Sequence, residues 1–194
     1  MTYQFKNISV LVVDSQPAIV DLIHGVLNLF GIRNIITRTD GVKGLKAFDE
    51  YEPDLLIVDW DLESMDGLEL TRKIRASRKN PFTPVIFMTA FSSQKRVAAA
   101  RDSGITEFLR KPFTAEALYK RIEEIIERPR PFVKAPEFFG PDRRRKRGDG
   151  YTGTDRRSER PVAARGFDRR FHDPEDRRKK NPDDRRSSKD KDKN

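Results

Sequence analysis

Five short strand-like runs recur along the first 128 residues, each followed by a stretch with helical spacing. Ile8–Val13, Leu55–Val58 and Val85–Met88 are apolar with few interruptions, and Asn34–Thr37 and Glu107–Leu109 are shorter. A run that is apolar at consecutive positions buries both of its faces, which suits a parallel strand covered by helices on each side. The intervening stretches supply those helices. Pro17–Phe30 places Ile19, Ile23, Val26, Leu27 and Phe30 on one face, and Gly31 suits its C-terminal stop. Gly41–Glu52 reads as a helix through Val42, Leu45 and Phe48, and Gly67–Arg75 as another, followed by Pro81. Ser92–Ser103 has Ser92 or Ser93 as N-cap and Gly104 as stop. Thr114 caps a helix to Glu127 whose faces carry Leu118, Ile122, Ile125 and Ile126. The alternation predicts an α/β fold, a doubly wound five-stranded parallel sheet.

Charge divides the chain at a different place from the fold pattern's last strand. The protein has 194 residues and a formal charge of +9. Residues 1–128 balance their acids and bases, so the whole excess lies in 129–194. That last third has no Leu, Ile or Met and holds seven of the twelve prolines. Such a segment cannot bury enough apolar area to offset the entropy of ordering. The reading is therefore a folded domain over 1–128, an apolar arm over 129–140 and a disordered basic tail over 141–194. Phe132, Phe138 and Phe139 set the arm apart, as a segment able to dock on the domain's own surface or on a partner. In the tail Asp-Arg-Arg begins at Asp142, Asp155, Asp168, Asp176 and Asp184. No repeat carries an apolar stripe, which excludes a solenoid. Arg clusters suit phosphates, but the interspersed Asp weakens a nucleic-acid reading.

Composition removes several other classes. With no Cys there is no disulfide framework, thiolate zinc site or thiol nucleophile. The two His, His24 and His172, are too far apart in sequence to suggest a His metal site. No apolar run is long enough for a membrane span or a signal-peptide core. A cytoplasmic protein is expected. There is no phosphate-cradling Gly-rich loop, so a bound nucleotide is not indicated.

In a doubly wound sheet the functional site lies at the carboxyl ends of the strands. Asp14 follows the first strand, Asp59 the third, Thr89 the fourth and Lys111 the fifth. Clustered carboxylates repel one another and favour a hard divalent cation with oxygen ligands, here Mg²⁺. A cation and Lys111 together neutralise a transferring phosphoryl group. One Asp can then attack phosphorus and form an acyl phosphate.

These residues carry a family resemblance. Val12-Val13-Asp14, the segment Val58–Gly67, Met88-Thr89-Ala90 and Phe108–Phe113 together resemble the receiver domain of two-component response regulators, of the stand-alone chemotaxis type. The match spans roughly residues 6–128 with every element in order. The resemblance implies a flavodoxin-like receiver fold. It implies that Asp59 accepts a phosphoryl group from a phosphohistidine of a sensor histidine kinase or phosphotransfer protein. Asp14, Asp59 and the backbone carbonyl of Asp61 would hold Mg²⁺. Thr89 would hydrogen-bond the phosphoryl group, Lys111 would pair with it, and Phe108 would turn inward as a switch. The output would be protein contact, without turnover of a small substrate.

Two departures stand out. The family usually has two acids after the first strand, whereas this chain has Asp14-Ser15. A hydroxyl attracts a divalent cation less than a carboxylate does, with Asp61 and Glu63 nearby as partial compensation. Phe108 stands where Tyr is frequent. Ser15 therefore keeps open an alternative, a phosphorylation-independent adaptor with the same fold. Nucleic-acid binding through the tail is a further alternative, although no helix-turn-helix pattern occurs in 129–194.

Overall fold

The computed structural model describes residue 5 and residues 7–90, 94–135 and 138–142, with backbone alone at 94–96. Five strands form one parallel sheet: β1 (Ser9–Val13), β2 (Asn34–Arg38), β3 (Leu55–Asp59), β4 (Val85–Thr89) and β5 (Glu107–Arg110). Their order is β2-β1-β3-β4-β5, so the chain winds first one way and then the other. Between them run α1 (Pro17–Leu29), α2 (Gly41–Tyr51), α3 (Gly67–Ala76) and α4 (Gln94–Asp102), and α5 (Ala115–Glu127) follows β5. The doubly wound five-stranded parallel sheet is the one the alternation predicts, with ends moved by one or two residues, and its strand order is the flavodoxin-like one that the resemblance implies. The proposed caps Ser92 and Ser93 and the tail from residue 143 lie outside the described residues.

The period-two geometry of strands divides the core into two layers. Val10, Val12, Ile57, Ile86 and Met88 face one side, where Ile23 and Leu27 of α1 and Leu118 and Ile122 of α5 cover them. Leu11, Val13, Leu56, Val58, Val85 and Phe87 face the other, under Phe48 of α2 and Leu70 and Ile74 of α3. Full burial of each such side chain contributes about 1.5–3 kcal/mol, which is why the central strands read as unbroken apolar runs. The expected face of α2 is corrected in one respect. Val42 is 38% exposed, and Gly44, Ala47 and Phe48 meet the sheet instead, with Gly41 buried against Met65. A Cβ on Gly44 would lie 3.0 Å from a Val13 methyl, so small residues let this helix pack close.

The arm is a hairpin on the folded domain itself. β6 (Phe132–Ala135) and β7 (Phe138–Pro141) pair antiparallel, and the Asp142 amide donates to the Pro131 carbonyl at 2.8 Å. Pro141 and Asp142, which the charge division assigned to the tail, thus belong to the hairpin. Phe82, in the turn before β4, meets Phe132 and Phe139 edge to face at 5.3 and 5.4 Å. The hairpin lies at the amino-terminal pole of the sheet, where strands begin.

That pole encloses a cation. Arg75, near the end of α3, is 8% exposed. Its Nε donates to the Gly104 carbonyl at 2.9 Å, and its Nη1 donates to the carbonyls of Pro81 and Thr83 at 2.8 Å each. The Phe132 ring roofs the guanidinium, with Cζ 5.1 Å from its centroid. Burial pulls Arg75 down to about 9, which still leaves it charged at neutral pH. Carbonyl dipoles and an aromatic face compensate a charge that has no carboxylate beside it among the described residues.

Candidate functional site at the carboxyl edge

β1 ends at Val13, and the Asp14 amide continues the ladder by donating to the Arg38 carbonyl at 3.1 Å. This pins Asp14 just past the strand, fully buried. Its Oδ1 accepts from the Gln16 amide at 2.9 Å, which orients the carboxylate across the sheet edge. Asp59 closes β3 and is 5% exposed. Lys111 follows β5, its amide donating to the Thr89 carbonyl at 2.9 Å, and the Lys111–Pro112 peptide is cis. The Lys111 ammonium lies 2.7 Å from Asp14 Oδ2 and 2.9 Å from Asp59 Oδ1. Residues from three strands, 97 positions apart at the extremes, meet in one ion triad.

The electrostatics follow from burial. Desolvation raises the Asp59 carboxyl above its ordinary value, the Lys111 hydrogen bond opposes this, and the Asp14 charge adds to the rise. Burial works against the Lys111 ammonium, yet its hydrogen bonds to Asp14 and Asp59 and their charges outweigh it, and the net shift is upward. The triad carries one surplus negative charge, so it suits a further cation or a group that exchanges partners with Lys111.

The loop after Asp59 is tightly built. A Cβ on Gly67 would collide with the Asp59 carbonyl, so only glycine lets α3 start this close to the site. Asp66 caps that helix through the Glu69 amide at 2.7 Å. Trp60 packs edge to face on Phe87 at 5.2 Å, a structural role for the ring in this loop. The hydroxyl of Ser15 donates to the Asp61 carbonyl at 3.0 Å. That bond joins the serine standing in the usual acid's place to the backbone oxygen expected among the metal ligands.

The remaining candidates are placed as follows. Thr89 closes β4, buried, in register beside Arg110 of β5. Phe108 is half-buried and meets Phe87 edge to face at 6.3 Å. The Asp61 and Glu63 side chains are exposed, and the Glu63 backbone is tied to Asp40 and Gly41 on the β2–α2 side. Glu63 therefore does not join the triad. Sequence reasoning missed the Ser15 bond, because its acceptor is a backbone carbonyl with no residue-type signature. It also missed Arg75, whose only signal was its place one residue after Ile74 on the buried side of α3.

Known proteins with the same features are numerous. A sequence model of the response regulator receiver domain family matches residues 10–123, more than half of the chain. The chemotaxis protein CheY-3 of Vibrio cholerae is 28% identical over 123 residues, 63% of this chain and 95% of that protein. The chemotaxis protein CheY of Pseudomonas aeruginosa is 31% identical over 119 residues, 61% of this chain and 96% of its own length. Among solved structures, a putative response regulator from Chloroflexus aurantiacus superposes with a TM-score of 0.60 and 26% identity, covering 63% of this chain and all of that one. The receiver domain of sensor histidine kinase PA1611 from Pseudomonas aeruginosa gives a TM-score of 0.55 with 27% identity, over 60% of this chain and 94% of its own. That crystal structure has a magnesium ion coordinated in its active-site cleft. No described helix is long and apolar enough to cross a membrane.

Proposed function

The chain belongs to the response regulator receiver domain family, and from that premise we propose that it relays a signal by carrying a phosphoryl group on Asp59. The observation that carries this reading is the Lys111 ammonium held between Asp14 and Asp59 at 2.7 and 2.9 Å. A carboxylate so placed is a nucleophile with its charge partner already in reach. Asp59 attacks phosphorus of a phosphohistidine on a sensor histidine kinase or phosphotransfer protein. The P–N bond breaks, the imidazole leaves with the electron pair, and an acyl phosphate forms on Asp59. Lys111 then pairs with a phosphoryl oxygen, and the Thr89 hydroxyl donates to another. The face around Phe108 changes and contacts a protein target.

The donor set fits Mg²⁺. The carboxylates of Asp14 and Asp59 and the Asp61 carbonyl are all hard oxygen ligands, the type this ion prefers. These groups would hold it, and it would supply neutralising charge for the phosphoryl oxygens. The set is sparse, because no group of three or more acids or His gathers as a metal site among the described residues.

The test is labelling by a small phosphodonor with Mg²⁺, in wild type and in Asp59→Asn. Label on the wild type that disappears in the variant is expected. An unlabelled wild type at every Mg²⁺ concentration would overturn the phosphoacceptor.

The Ser15 bond to the Asp61 carbonyl favours a second reading. A hydroxyl in the acid's place leaves an adaptor that presents the receiver face without phosphorylation. Ser15→Asp separates the two: label that arises only in this variant identifies the native chain as the adaptor.

A further inference from the structure

The hairpin lies beyond residues 10–123 that the family model matches. We infer that it is a strap on β5 whose grip is thermodynamically linked to the phosphoryl state of Asp59. The inference rests on the reading of Asp59 as phosphoacceptor.

β5 is an edge strand of four residues, held by β4 on one side only. Both its ends are clasped by ion clusters. At its start Glu107, 1% exposed, accepts from Arg130 Nη2 at 2.6 Å and from Arg121 Nη1 at 3.4 Å. At its other end the chain runs directly into Lys111 and the triad with Asp14 and Asp59. Four extended residues span about 13 Å, so the two clusters share one short rod.

The hairpin and the residue that leads into it hold the sheet at three points, at the start of β5, in the turn that enters it and ahead of the neighbouring β4. Arg130, which leads into β6, supplies the shorter bond to Glu107. Phe132 and Phe139 clasp Phe82 ahead of β4. Gly140 meets Gly104, in the turn that enters β5, backbone to backbone. A Cβ on Gly140 would lie 2.6 Å from the Gly104 Cα, and one on Gly104 would lie 2.7 Å from the Phe139 carbonyl oxygen.

Phosphoryl transfer to Asp59 alters one end of the rod. The carboxylate becomes an acyl phosphate, and the oxygen that Lys111 now holds loses most of its charge to the new group. Lys111 changes partner, and β5 follows within the limits the strap sets. Linkage is reciprocal for equilibria: if the modified site loosens the strap, a loosened strap favours the modified site by the same factor.

The experiment uses the full chain with Mg²⁺ and beryllofluoride, a phosphoryl mimic. Hydrogen exchange reads the amides of the hairpin, and the fluorescence of Trp60, the only tryptophan, reads beryllofluoride affinity. Hairpin exchange is expected to quicken by at least about fivefold on binding. Arg130→Ala and Phe139→Ser are expected to tighten beryllofluoride binding by a comparable factor. The wild-type exchange measurement stands whether or not the variants fold. Either readout unchanged, with Asp59 labelling intact, overturns the linkage alone. No phosphodonor label on wild-type Asp59 overturns the reading of the site and this linkage with it.

Discussion

Two sets of buried charge, one at each pole of the sheet, are held in opposite ways, although Glu107 at the amino pole is also ion-paired, to Arg130 and Arg121. At the carboxyl pole Asp14, Asp59 and Lys111 hold one another by ion pairs, with a surplus negative charge. At the amino pole Arg75 is enclosed by the carbonyls of Pro81, Thr83 and Gly104 and by the Phe132 ring. Backbone carbonyls do not titrate and carry no exchangeable charge, so the Arg75 site offers nothing that can react. Carboxylates and an ammonium can change partners, take a proton or accept a phosphoryl group. The difference separates a buried charge held by groups that cannot react from one held by groups that can.

The largest expected effect breaks the cage. Arg75→Met leaves three carbonyls without their donor and is expected to cost about 4 kcal/mol in urea unfolding. The loss should not vary between pH 5 and 8, since no carboxylate is released. A strongly pH-dependent loss would mean that the two poles are alike after all.

Next is Ser15→Asp, which adds a carboxylate to the carboxyl pole. Mg²⁺ affinity read by Trp60 fluorescence is expected to rise by about tenfold, or roughly 1.4 kcal/mol. An unchanged affinity would show that Ser15 is not what limits the donor set. Thr114→Ala removes the side-chain cap of α5, which accepts from the Ala117 amide at 3.1 Å close after Lys111. The expected cost is about 1 kcal/mol in thermal or urea unfolding.

The smallest effect has the opposite sign. Because desolvation raises the Asp59 carboxyl, the folded state holds its proton more tightly than the unfolded chain does. Its contribution to stability is fully present below the ordinary carboxylate value, near about 4, and is lost as pH rises through the raised folded value. Asp59→Asn removes that penalty. The variant should be the more stable protein at neutral pH, and the gain should vanish in unfolding curves taken progressively nearer pH 4.

How much of this was legible in the sequence depended on the kind of signal. Asp14, Asp59 and Thr89 each follow an apolar run directly, so those strand ends announced themselves as polar residues after burial, and Lys111 comes just after the shorter fifth run. Thr114 and the glycines at 31 and 104 marked helix ends by local chemistry, and both glycines have positive φ. The α2 face was misread at Val42, because Gly44 carries no hydrophobic signal although it packs against Val13 of the sheet. Arg75 was illegible, since a charged residue near a helix end reads as solvated until three carbonyls from two loops surround it. Phe132, Phe138 and Phe139 showed that the arm was apolar. Its destination depended on Phe82 and Gly104, distant in sequence and unremarkable by themselves.

The meeting of Gly104 with Gly140 has a genetic consequence. A side chain at Gly140 would meet the Gly104 backbone, and one at Gly104 would meet the Phe139 carbonyl as well as strain a positive φ, so the two glycines together seat the hairpin. A single methyl group at Gly140, on the side of Gly104 next to Arg75, would unseat the hairpin while leaving the side chains of Arg130, Glu107 and the triad unchanged. Alanine at that position is the least invasive allele for separating the strap's contribution from the receiver's own.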